Sequence, residues 1–168
     1  MKTVILMRHA KSDWGQAGLP DHERALNSRG RTASIALGQW LRDNGYLPGE
    51  VICSTATRTR QTLAGLGLPK DTAVTYLRDL YNADVGSLLA ALRDTQADTV
   101  LLVAHNPSIA FCAHKLLARS PEHARFDDYP TGATLVATFD IEDWGDLELQ
   151  TGTVADFIIP RELTHAKS

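Results

Sequence analysis

Residues 3–10 of this 168-residue chain read TVILMRHA, an apolar run that ends in an arginine and a histidine. Residues 3–7 show no alternation of polar and apolar side chains, which is typical of a strand buried on both faces of a parallel sheet. Ligands of open α/β sheets bind beyond the carboxyl ends of such strands. The stretch therefore predicts a central strand that carries Arg8 and His9 to the edge of the sheet where a ligand would bind.

The rest of the chain alternates between short apolar runs and segments with helical spacing. Further strands are predicted at residues 51–53, 74–77, 99–104, 134–139 and 154–159. Helical spacing of apolar residues is found at residues 33–41, 56–66 and 85–92, with Asn27 or Ser28 as the predicted N-cap of the first helix, and another helix can begin at Pro107. This alternation is typical of an α/β three-layer sandwich, in which helices flank a mostly parallel central sheet. We expect a single domain over residues 1–168. The last two strands are expected to extend the sheet at one edge, where they can run antiparallel.

Composition and charge narrow the class of function. The formal net charge of -3 and the pI near 6.0 do not supply the broad basic field that nucleic-acid binding usually needs. No run approaches the roughly 20 apolar residues of a membrane span. The short run at residues 1–7 lacks the cleavage site of a signal peptide. We therefore expect a cytoplasmic protein that binds neither nucleic acid nor membrane.

Chemically active side chains follow three of the predicted strands. Arg8 and His9 end the first strand, Arg58 follows the second within about one helical turn, and His105 follows the run at residues 99–104. If these strands are neighbours, two arginines and two histidines meet at one edge of the sheet. Guanidinium groups match phosphate oxygens. Nearby positive charge also lowers the pKa of His9, and a neutral imidazole can attack phosphorus. The cluster predicts a phosphoryl site with His9 as the nucleophile.

Three short motifs carry a resemblance to a known family: RHA at residues 8–10, STATRTRQT at residues 54–62 and HNP at residues 105–107. Together and in this order they resemble the histidine phosphatase superfamily, with its phosphoglycerate mutase-like fold, and within it the small SixA-type phosphohistidine phosphatases. The resemblance runs from residue 3 to about residue 117. It also includes the family's usual spacing at Asp21, Arg24, Leu26 and Gly30.

The resemblance implies a phosphatase whose nucleophile is transiently phosphorylated. It assigns this role to His9, and water then hydrolyses the phosphohistidine intermediate. It further implies that Arg8, Arg58 and His105 bind the phosphoryl oxygens. Ser12 stands where relatives often have a hydroxyl near the phosphate, so we expect it in the substrate-binding site.

The chain departs from the family pattern where a general acid is expected. Asn106 occupies the place of an aspartate that acid phosphatases carry after the second histidine. The segment that holds a glutamate in mutase-like relatives contains only Asp79 here, and Gly15 replaces an asparagine of many mutases. A proton donor typically contributes on the order of 10²–10⁴-fold to the departure of an alkoxide, whereas an imidazole protonated at its far nitrogen leaves readily. The missing acid points to a phosphohistidine substrate.

The short segment between residues 81 and 100 has room for one helix and no insertion above the pocket. Such an open site suits a side chain displayed on a protein, so we expect a phosphatase whose partner is a phosphohistidine protein. Two alternatives stay open: a phosphomonoesterase or mutase of a small metabolite with Asp79 as its acid, and a phosphohistidine carrier or binding module with negligible turnover. The sequence carries no signal for an oligomeric state.

Ordinary structural interpretations exist for each of these residues. His105 alone would more often be a packing histidine. Arg58 alone would be a surface partner of a carboxylate, the role we expect for Arg60. Two histidines without a third ligand, beside arginines that repel a cation, predict no metal, and we expect no cofactor. The remaining histidines are expected at the surface or in packing: His22, His114, His123 and His165.

Overall fold

The computed structural model describes residues 1–14 and 17–164, so Gly15 and His165 lie outside the described residues. One sheet organises these parts of the chain. Its strands are β1 (Lys2–Arg8), β2 (Glu50–Ser54), β3 (Ala73–Leu77), β4 (Thr99–Ala104), β5 (Thr134–Phe139) and β6 (Thr153–Ile158). Their order is β3-β2-β4-β1-β5-β6. Neighbours from β3 to β1 pair in parallel, whereas β5 runs antiparallel to both β1 and β6.

Helices cover both faces of this sheet, which confirms the predicted three-layer α/β fold. They are α1 (Ser28–Asp43), α2 (Thr57–Leu66), α3 (Val85–Arg93), α4 (Ser108–Leu116) and α5 (Pro160–Thr164). In β1, Ile5 and Met7 belong to the core that includes α1 and α2 side chains. Val4 belongs to the core that includes α3 and α4 side chains. All three are fully buried, and this explains why the opening run shows no alternation.

The first helix begins at Ser28, which confirms the N-cap predicted at Asn27 or Ser28: the Asn27 side chain accepts a hydrogen bond from the Gly30 N–H at 2.9 Å. Other element boundaries differ slightly from the sequence prediction. The next helix begins at Thr57, one residue later than predicted. Pro107 precedes α4 as its cap instead of being its first residue. The two late strands lie antiparallel at a sheet edge, as the sequence allowed.

Two close approaches between main chains fix α1 in place. A Cβ atom at Gly30 would lie 2.1 Å from the Lys11 carbonyl oxygen, and one at Gly38 would lie 2.0 Å from the Leu66 carbonyl oxygen. Only glycine permits either approach without a displacement of the main chain. The N-terminus of α1 therefore packs directly against the segment that follows His9.

Candidate active site

The ends of three adjacent parallel strands bring the predicted residues together. Because β4 lies between β1 and β2, His105 after β4 sits beside His9 after β1, and their ring centroids are 5.4 Å apart. Arg58 lies in the first turn of α2, which follows β2. His9, Arg58 and His105 are each only 6% exposed. The two histidines and Arg58 therefore lie buried in one pocket at the carboxyl edge of the sheet, and the half-buried Arg8 ends the strand that carries His9.

The imidazole of His9 is held in one tautomer. Its Nδ1 lies 2.7 Å from the Ala10 carbonyl oxygen, which can only accept a hydrogen bond, so Nδ1 carries the proton and Nε2 keeps a lone pair. Burial lowers the pKa of His9 to about 3, against the opposing effect of that hydrogen bond, and the charges of His105, Arg8 and Arg58 lower it further. The expected direction holds, but burial is a larger cause than the positive charges. His9 is a neutral base with a free Nε2.

His105 is oriented by a hydroxyl from the neighbouring strand. Its Nε2 shares a 2.8 Å hydrogen bond with the Ser54 Oγ, and Ser54 ends β2. Burial lowers the pKa of His105 to about 3, and the Arg58 charge adds to that effect. At neutral pH this histidine offers a hydrogen bond and a dipole to a ligand, and the arginines supply the positive charge.

The two arginines are anchored differently. Arg8 donates from Nη1 to the Tyr129 carbonyl oxygen at 3.1 Å, and its pKa is lowered by burial and by Arg58. Arg58 donates to the Asp21 carbonyl oxygen at 2.8 Å and to its carboxylate at 3.0 Å. Arg60, by contrast, is exposed, donates to the Thr55 carbonyl oxygen at 2.9 Å and lies 4.1 Å from the Tyr76 ring centroid. The prediction that it pairs with a carboxylate was wrong, since no described carboxylate forms an ion pair with it. Arg58 and not Arg60 therefore belongs to the pocket. Arg58 also has a carboxylate partner, as expected of an arginine with an ordinary structural role.

Asp21 connects Arg58 in the pocket with Arg24 and Tyr81. Its carboxylate accepts a 2.6 Å hydrogen bond from the Tyr81 hydroxyl and a 3.0 Å bond from Arg24 Nε. The Tyr81 bond, followed by those from Arg24 and Arg58, holds the pKa of Asp21 well below its usual range. Asp21 is therefore ionised at neutral pH and acts as a hydrogen-bond acceptor.

Ser12 lies where the resemblance places it, close to the pocket, but its hydroxyl is already engaged. Arg24 donates from Nη1 to Ser12 Oγ at 2.8 Å, and the same guanidinium lies 3.6 Å from the Trp14 ring centroid. Ser12 is buried, and its side chain lines the same cleft as Arg8 and His9. Its hydroxyl hydrogen remains available to a ligand, since the oxygen is the acceptor in the bond from Arg24.

Unmet hydrogen-bonding capacity is concentrated at this pocket. Among the described residues, four buried side-chain atoms lack a partner: Arg8 Nε, Arg58 Nε, His105 Nδ1 and Asn106 Oδ1. Each such atom costs about 1–3 kcal/mol of stability. All four belong to predicted site residues or to the residue next to one, and such groups are typical of a functional site.

No side chain in the predicted acid positions offers a proton to the pocket. Asp79 is exposed in a short 3₁₀ turn, and it shares no hydrogen bond or ion pair with another described residue. Asn106 uses its amide nitrogen to bind the carbonyl oxygens of Asp128 and Tyr129, both at 3.0 Å. Asp21, whose carboxylate binds Arg58, was not among the residues predicted from the strand ends.

Residues 1–14 and 17–164 contain no group of three or more histidine, cysteine, aspartate or glutamate side chains arranged to hold a metal ion. Within the same ranges, no helix is long and apolar enough to cross a membrane.

Comparisons with known proteins identify the family and the fold. A family model described as histidine phosphatase superfamily (branch 1) matches residues 4–93. An uncharacterized protein of Mycobacterium tuberculosis is 36% identical over 163 residues, which span 92% of this chain and 100% of the relative. A structure named phosphohistidine phosphatase SixA from Nakamurella multipartitia matches with a TM-score of 0.79 and 34% identity, covering 95% of this chain and 96% of that chain. A protein histidine phosphatase SixA complexed with tungstate matches with a TM-score of 0.77 and 25% identity, covering 96% and 99%.

Proposed function

This chain belongs to the histidine phosphatase superfamily, branch 1, and from that premise we propose that it removes phosphate from a phosphohistidine side chain of a protein, with His9 as the nucleophile. The phosphatase class follows from the family. The similarity to structures named SixA supports the phosphohistidine substrate. The observation that carries the proposal is that the pocket has a neutral imidazole and two guanidinium groups but, within residues 1–14 and 17–164, no carboxylic acid that holds a proton.

In the first step, the lone pair of His9 Nε2 attacks phosphorus while the P–N bond of the substrate breaks. That bonding pair returns to the substrate imidazole, which leaves as a neutral ring if its far nitrogen is already protonated. Arg8 and Arg58 bind the phosphoryl oxygens and stabilise their negative charge. His105, held by Ser54, supplies a further hydrogen bond.

In the second step, water attacks phosphorus and the bond to His9 Nε2 breaks. Because His9 Nδ1 keeps its proton in the hydrogen bond to Ala10, phospho-His9 carries its leaving group as an imidazolium. The bonding pair returns to Nε2, His9 regains its neutral form, and the proton of the water goes to inorganic phosphate. Neither step needs a proton from a carboxylic acid of the enzyme.

An alkoxide leaving group would not have this advantage. Asp21 is ionised and bound by Arg58, and Asn106 cannot act as an acid. A phosphoserine or sugar phosphate would therefore lose the factor of about 10²–10⁴ that a general acid supplies. This difference favours phosphohistidine over a phosphomonoester.

A panel of substrates tests the proposal. We expect a clearly higher kcat/KM for a phosphohistidine peptide than for the same peptide with phosphoserine or for a sugar phosphate. Preference for a phosphomonoester, lost in Asp79→Asn but kept in the exposed control Asp71→Asn, would contradict it. A phosphoenzyme that forms but is not discharged by water in a single-turnover measurement would instead indicate a carrier.

A further inference from the structure

A basic cleft opens beside the nucleophile. It has a volume of about 860 Å³, and its walls come from the segment after β1, the start of α1, the segment before β5 and α5. Arg8 and His9 are among its lining residues, whereas Arg58 and His105 are not. The cleft therefore extends from the predicted site residues to a surface that Arg58 and His105 do not line.

The lining is strongly positive although the whole chain has a net charge of -3. It contains six of the 17 lysines and arginines: Arg8, Lys11, Arg24, Arg29, Arg125 and Arg161. Of the 20 aspartates and glutamates, only Asp128 lines it among the described residues. Such a charge distribution produces a local field that attracts anions.

Three of these cations are uncompensated. Arg24 is bound to Asp21, and Arg125 is paired with Asp128 at 2.9 Å. Lys11, Arg29 and Arg161 are exposed, and their side chains share no hydrogen bond or ion pair with another described residue. They come from three separate parts of the chain, and no ion pair within the described residues explains why all three line one cleft.

On the basis of the proposed function, we propose that this cleft binds an acidic segment of the partner protein, next to the phosphohistidine that enters the pocket. A volume of this size holds an extended ligand and not only a single anionic group. The free cations are exposed and dispersed, and this suits several carboxylates along a chain better than one compact oligophosphate. At the rim, the 76% exposed Trp14, stacked against Arg24, offers an apolar contact to the same segment.

Two synthetic phosphohistidine peptides test this docking site. They have the same length, one carries four glutamates beside the phosphohistidine, and the other has glutamine at those positions. We expect kcat/KM at low ionic strength to be about tenfold higher for the glutamate peptide, which corresponds to a few exposed ion pairs. This advantage should fall as salt screens the charges. The glutamine peptide should be hydrolysed at a rate that changes little with salt.

Charge reversal locates the effect. We expect Lys11→Glu and Arg161→Glu each to reduce the advantage of the glutamate peptide several-fold and to leave the glutamine peptide unchanged. Lys70→Glu and Arg119→Glu change the net charge equally at exposed positions outside the cleft lining, and they should retain the advantage. Circular dichroism checks that all four variants fold.

The outcomes separate the docking site from the proposed function. Equal rates for both peptides, or an equal loss in cleft and control variants, would overturn the docking site while phosphohistidine hydrolysis stands. Hydrolysis of neither peptide would contradict the proposed function itself. Faster hydrolysis of inorganic tripolyphosphate than of the glutamate peptide would overturn the docking site in favour of a small polyanion.

Discussion

The Nδ1 atom of His9 and the carbonyl oxygen of Ala10 lie 2.7 Å apart, so the nucleophile is oriented by the residue that follows it in the chain. The same segment is also bound to α2, because the Ala10 N–H donates a hydrogen bond to the Thr62 Oγ1 at 3.0 Å. The tautomer of His9 is therefore fixed by main-chain geometry, and Nε2 is left to react.

We expect His9 to remain neutral, with its proton on Nδ1, from pH 8 to pH 5, because its pKa is lowered to about 3. Nitrogen NMR of the imidazole measures both properties. Between about 6.5, the unfolded pKa of histidine, and 3, the unfolded chain binds more protons at this site than the folded chain. This site therefore lowers the free energy of unfolding as pH falls through that window. A titration of His9 with a midpoint near 6.5 would contradict this assignment.

Asp21→Asn removes the carboxylate that neutralises Arg58. We expect the melting temperature to fall by about 2–4 °C, corresponding to roughly 1 kcal/mol, because Arg58 is buried and loses its anionic partner. Added phosphate should then raise the melting temperature more in the variant than in the wild type, since the ligand supplies the missing negative charge. Asp71→Asn is the matched control. Equal responses to phosphate in wild type and Asp21→Asn would show that Asp21 does not compete for Arg58.

Asn106→Asp introduces an aspartate at the position where acid phosphatases carry one. We do not expect this aspartate to act as a general acid. The new carboxylate would face the carbonyl oxygens of Asp128 and Tyr129, which the Asn106 amide now binds. We expect the variant to lose more thermal stability, relative to wild type, at pH 8 than at pH 5. We expect no gain in phosphoserine hydrolysis. Asn106→Ala, which loses the amide without adding charge, should show no such pH dependence. A gain of tenfold or more in phosphoserine hydrolysis would contradict the expectation.

Gly30→Ala tests the contact between α1 and the segment after His9. The added Cβ would collide with the Lys11 carbonyl oxygen, so we expect a loss of about 1–3 kcal/mol in the free energy of unfolding and a lower kcat/KM. Gly86→Ala, in exposed helical chain with its nearest contact at 3.4 Å, should be neutral or slightly stabilising. Chemical denaturation measures both. Equal stability of the two variants would exclude the steric explanation.

The sequence predicted the site best where a local apolar pattern identified a strand and the parallel order of the strands placed their ends side by side. The run at residues 3–7 predicted a strand buried on both faces, and the ends of β1 and β4 placed His9 and His105 side by side because parallel strands end at one sheet edge. The start of α1 was predicted from the polar residues Asn27 and Ser28, and the structure identifies Asn27 as the N-cap.

The supporting contacts could not be predicted in the same way. Asp21 meets Tyr81 across 60 positions of the chain, and neither residue follows a strand that the argument had selected. The spacing of Asp21 and Arg24 in the family pattern was a signal, but it did not say which side chains they bind. The leading cause of the low His9 pKa, burial, also depends on how the whole pocket packs.

The covalent intermediate on His9 is the central claim, and rapid-quench labelling tests it most directly. The enzyme is mixed with a peptide that carries radiolabelled phosphohistidine, quenched during a single turnover, and mapped by mass spectrometry. We expect an alkali-stable, acid-labile label on His9 that appears before inorganic phosphate and is absent in His9→Ala, which should also lose turnover. A label on another residue, or turnover retained in His9→Ala, would contradict the mechanism.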